Sequence, residues 1–148
     1  MKGIIAVIIT AVVSLSSITS LNFGIAEAAT AEVCQKGALI GYGGAIFGLT
    51  NVCTDGYTIH VDLVTDFKPK SGWVFGAWLL DDSGNGSGYA LYMGKILNDN
   101  TLQFDEVMTN ARTYTDIVIT QQPQGSLSPL PSWSNSVASY WLASPFGL

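Results

Sequence analysis

Residues 72–123 carry four strand-length runs, at 72–82, 88–96, 101–107 and 114–123, set apart by clusters of Gly, Asn and Asp. The runs are short, rich in aromatic and β-branched residues, and either alternating or apolar throughout. That is the pattern of strands rather than of amphipathic helices. Four in succession predict consecutive antiparallel strands, around which the rest of the chain has to be arranged.

The run from Trp73 to Leu80 has no polar face. Trp73, Phe75, Ala77 and Leu79 fall on one side, and Val74, Gly76, Trp78 and Leu80 on the other. Such a run predicts a central strand covered on both faces, with Gly76 admitting a close neighbour. Trp73 and Trp78 are an odd number of residues apart, so they point to opposite faces and cannot form one flat platform for a sugar ring. They read as core. In 101–107, Leu102 and Phe104 point in while Gln103 and Asp105 point out. Asp105 and Glu106, being adjacent, cannot make the facing carboxylate pair of a glycosidase. The run 114–123 is β-branched at its centre and ends at Pro123, which predicts an outer strand.

The turn at 81–88 carries three overlapping signals. Asn85-Gly86 among further glycines is hairpin chemistry. Asp81, Ser83 and Asn85 followed by Gly86 match the opening of a calcium loop, although Tyr92 stands where the bidentate acid belongs. Asn85-Gly86-Ser87 is also an N-glycosylation sequon. The plain turn is the expectation, with Asp81, Ser83 and Asn85 the calcium candidates and calcium the one cofactor considered.

Upstream, 57–64 alternates. Tyr57, Ile59, Val61 and Leu63 face the core, and Thr58, His60 and Asp62 face out. His60 is the one histidine of the chain. It stands beside Asp62, but no nucleophile or second carboxylate accompanies the pair, so a solvated strand face is expected rather than a catalytic one. The sequence also lacks G-x-S-x-G and a metal-ligand cluster, so no enzymatic activity is expected.

The chain starts with Met1-Lys2 and then has no charged residue until Glu27. Ala26-Glu27-Ala28 offers a small-x-small cleavage site. A secretory leader at 1–28, cleaved after Ala28, is the reading adopted; an uncleaved anchor and a prepilin-type signal are its rivals. Cys34 and Cys53 are the only two cysteines. In an exported chain they predict a structural disulfide worth about 3 kcal/mol by loop length. Between them, glycine-punctuated segments fit short strands and irregular coil equally well.

After Pro123 the chain turns rich in proline and serine, yet it keeps Trp133, Tyr140, Trp141, Leu142 and Phe146. A crossing followed by a last strand at about 136–143, docked on the domain, is expected; the alternative is self-assembly, with this segment adding as a strand to a neighbouring subunit. The formal net charge is -5 and the basic residues are scattered, which argues against a nucleic-acid partner.

The order Phe75, Trp78, Leu79, Leu80, Asp81, then Gly94, then Ile119, Thr120, Gln122, Pro123 with Gly125-Ser126 resembles the extracytoplasmic β domain of anti-sigma-K factors and its secreted archaeal and bacterial relatives. The family has Glu where this chain has Gln122. The resemblance covers about a third of the chain and is structural rather than catalytic. It implies a sandwich outside the membrane; it does not imply sigma-factor control, which needs a cytoplasmic helical domain ahead of the apolar stretch. The expectation is an all-β protein: a signal-peptide helix at 1–28, then a single antiparallel β-sandwich at 29–148. Its expected role is non-enzymatic, in binding or structure at the cell surface, with an extracellular filament or surface layer as the alternative.

Overall fold

A computed structural model of the chain describes residues 31–81, 89–108, 111–126, 130–132 and 134–143. The expected leader at 1–28, along with Ser83 and Asn85, lies outside these residues. Among the described residues there are eight strands: β1 (Val33–Gly41), β2 (Ile46–Thr54), β3 (Thr58–Thr65), β4 (Trp73–Asp81), β5 (Tyr89–Lys95), β6 (Thr101–Val107), β7 (Asp116–Pro123) and β8 (Ser136–Trp141). All are antiparallel, in one sheet of order β5-β4-β7-β8-β1-β2-β3-β6. The all-β sandwich expected from the sequence is therefore present.

The sheet folds over at the β8–β1 corner, where only two residue pairs are in register, Ile40 with Ser139 and Gly41 with Ala138. Past them, the Gln35 amide takes over from the ladder. Its Oε1 accepts from the Ala143 N–H at 2.9 Å, and its Nε2 donates to the Ala143 carbonyl at 3.4 Å. Both halves of the folded sheet send apolar side chains into one core. Leu39, Val52, Ile59 and Val61 come from one half, and Ala77, Leu79, Ile117 and Ile119 from the other, all fully buried. Tyr114 and Ala111, on the β6–β7 connection, belong to the same cluster.

Several sequence expectations need correcting. The runs of 72–123 do not pair consecutively: β4 pairs with β5 and with β7, but β6 pairs with β3. β7 is not an outer strand, since it lies between β4 and β8. Its ladder with β8 ends at Thr120 opposite Ser136, so Pro123 sits beyond that ladder and its missing N–H leaves no gap there. Tyr57 is exposed in the β2–β3 turn rather than inward. That turn is held by Asp55 Oδ1, which accepts from the N–H groups of Tyr57 and Thr58 at 2.8 and 2.7 Å. The stretch between the cysteines, left open as strand or coil, is strand at both ends: β1 and β2 form a hairpin.

β4 is covered on both faces from Phe75 to Leu79, all buried, but Trp73 at its start, expected in the core, is 40% exposed. Its outward Trp78 lies against Tyr92, ring centroids 4.8 Å apart, and donates from Nε1 to Thr120 Oγ1 at 3.1 Å. Tyr92 can lie so close because position 76 is glycine: a Cβ there would stand 3.0 Å from the tyrosine ring. The β4–β5 ladder carries a bulge between Ala77 and Trp78, beside which Gly94 adopts a φ of 135°. Glycine adopts that conformation without the cost a side chain would add.

Candidate functional site

The strand register brings the predicted polar residues together on the outer face of β3 and β6. His60 is directly opposite Asp105, and Asp62 opposite Gln103. The imidazole is held from both sides: Nδ1 is hydrogen-bonded to Asp105 Oδ1, and Nε2 lies 3.0 Å from Asp62 Oδ2. Gln103 Nε2 donates to the other oxygen of Asp62 at 3.2 Å. The hydrogen bond to Asp105 raises the His60 pKa most; burial opposes it, and the bond to Asp62 adds to it.

Both ring nitrogens are engaged, and the two carboxylates lie on opposite sides of the ring, so the three groups do not converge on one point. Chemically the arrangement is a clamp tying β3 to β6. Because the His60 pKa is raised on folding, the clamp stabilises the fold fully below the ordinary histidine pKa. That contribution is lost as pH rises through the raised value. The ring is about one-third exposed, so solvent screening keeps the effect within about 1 kcal/mol. In urea titrations, the stability difference between wild type and His60→Gln should be largest near pH 6 and shrink toward pH 9. A pH-independent difference would contradict the clamp.

The same cross-strand row continues to the disulfide. Cys53 is opposite His60 in β3 and opposite Cys34 in β1. Cys34 and Cys53 are bonded, with Cα atoms 4.0 Å apart. The one group of at least three potential metal-ligating side chains that converges among the described residues is Glu32, Cys34 and Cys53, and the disulfide accounts for it. Of the calcium candidates, Asp81 ends β4 opposite Tyr89; Ser83 and Asn85, the latter also the glycosylation candidate, lie outside the described residues.

A second feature went unnoticed in the sequence. Period-two alternation in β8 turns Tyr140 inward over Gly37 and Trp141 outward, where it is 79% exposed. Trp141 stands at a groove of about 1290 Å³ running along the β7–β8–β1 corner. Tyr42, Ile40, Leu80 and Val118 supply apolar surface there, with Ser139 and Asp116 among the polar groups. Among the described residues no lysine or arginine lines the groove, so they offer an anionic ligand no counter-charge. The alternation was legible in Ser136–Trp141, but the corner that makes a groove beside Trp141 depends on β1. No family model matches the chain, and neither curated proteins nor solved structures give a match.

Proposed function

We propose that this protein is a secreted or cell-surface β-sandwich without enzymatic activity, which binds a component of the cell envelope at its β7–β8–β1 corner. The observation that carries this reading is Trp141, a large aromatic side chain left 79% exposed beside an apolar groove. Exposed aromatics that rim a concave surface are the usual anchors of binding sites. The interior, by contrast, is filled by apolar side chains from both halves of the sheet. The leader-like segment at 1–28, the disulfide and the resemblance to anti-sigma-K extracytoplasmic domains support an extracytoplasmic setting. The filament alternative needs the C-terminal strand to be donated to a neighbour. Here β8 sits between β7 and β1 of its own chain, which favours the binding reading.

Fractionation of expressing cells should find the protein outside the cytoplasm, with mass spectrometry placing the new N-terminus after Ala28. In co-sedimentation with isolated envelope material, Trp141→Ala should weaken binding by about tenfold or more, the scale of one aromatic anchor. Retention in the cytoplasm would refute the location, and wild-type binding by Trp141→Ala would refute the groove.

A further inference from the structure

We propose that the outer face of β1, β2 and β3 is the interface of a two-fold symmetric homodimer. This face borders the groove at Trp141 and shares Ala38 and Ile40 with its rim, but the proposal does not rest on ligand binding there. Outward positions of a half-solvated sheet are normally polar. Here Ala38, Leu49 and Val64 are in register across the three strands, and beyond a bulge Ile40 is opposite Ile46. Leu49 and Ile46 are each 56% exposed, Ile40 43% and Val64 41%. Single exposed aliphatics need no explanation, but a contiguous patch does.

The charges beside the patch identify its occupant. In the next row Lys36, Asn51 and Asp62 are in register across β1, β2 and β3. A two-fold axis running along β2 between two facing copies exchanges β1 with β3. It places Lys36 of each copy over Asp62 of the other, twice per dimer. The same operation sets the small Ala38 against the larger Val64 and brings Leu49 and Ile46 each against its own counterpart. The patch is thus self-complementary in charge and in size, as an isologous contact requires.

Lys36 is exposed and makes no ion pair among the described residues. Asp62 is held in place by His60 and Gln103. Sheets packed face to face lie about 10 Å apart, a gap that a lysine reaching toward an aspartate spans. Three strands of eight or nine residues offer a footprint of about 14 by 30 Å. That is below the area of stable complexes and within that of weak, transient ones, so the dimer should be weak and reversible.

The test uses the full chain, expressed with its own leader in an exporting host and followed by sedimentation over a range of concentrations. Wild type should show a monomer–dimer equilibrium, and Leu49→Asp should raise its dissociation constant at least tenfold. Lys36→Asp alone sets two aspartates against two aspartates, and Asp62→Lys alone sets lysines against lysines, so each variant should be monomeric. Mixed together they restore both opposite-charge pairs and should form a heterodimer. Amide exchange in the wild type, with dilution, should show protection lost on β1–β3 and not on β4 or β5, a readout that needs no variant to fold. A wild type that stays monomeric up to about millimolar, a mixture that fails to associate, or protection changes confined to another face would each overturn the proposal. Association instead with envelope material alone through this face would do so as well.

Discussion

Gly48→Ala should destabilise the protein by about 3 kcal/mol, the upper end of the usual cost of overpacking, and lower its thermal midpoint by about 10 °C. Gly48 lies on the inward side of β2, opposite Leu39 on one flank and Thr65 on the other. A Cβ built there would stand 2.2 Å from the Val64 carbonyl oxygen and 2.9 Å from Thr65 Cα. Both are backbone atoms of β3, so neither can swing away as a side-chain tip could; β2 and β3 would have to separate locally. Gly41→Ala is the control, because its nearest contact would be 3.4 Å away. It should change stability by under about 0.5 kcal/mol. Equal melting curves for the two variants would show that the approach of β3 to position 48 is not a close one.

Gly48 also shows where sequence reading stopped. Glycines weaken the strand signal between Cys34 and Cys53, where strand and coil fit the sequence equally well. Gly37 and Gly48 are there because something distant in the chain comes close, the Tyr140 ring in one case and the β3 backbone in the other. Local alternation correctly turned His60, Asp62, Gln103 and Asp105 outward. It could not say that β6 returns to pair with β3, and that pairing is what sets Asp105 against His60. Pro123 misled for the same reason: a proline restricts its own backbone and says little about a strand whose second partner arrives later in the sequence. The two-sided apolar run of β4 was the most legible element, because burial on both faces leaves its mark on every consecutive residue.

Replacing both cysteines, Cys34→Ala with Cys53→Ala, should remove about 3 kcal/mol, the value expected for a loop of this length. Reduction of the wild type should have a similar effect. The bond joins directly opposed residues of β1 and β2, a hairpin whose turn contains two positive-φ glycines, Gly43 and Gly44. In the unfolded chain the bridge removes the freedom of that whole loop; in the folded chain it ties β1 to the strand that carries Gly48. The double variant should therefore show a lower urea midpoint. Its β3–β6 clamp should survive, because His60 takes its partners from β3 and β6. A reduced protein as stable as the oxidised one would show that the hairpin is held in register by its packing alone.

The place of β8 bears on how the molecule comes into being. β8, the last of the described strands, fills a slot in the middle of the sheet, between β7 and β1. No order of synthesis can finish the ladder early: β1 must wait for Ser139 and Ala138 before its second edge is paired. A chain released N-terminus first from a ribosome therefore has an incomplete domain until β8 has emerged. Contacts that join the two ends of a sequence are slow to form. Such a chain stays pliable until β8 has emerged and locks only when that strand enters its slot.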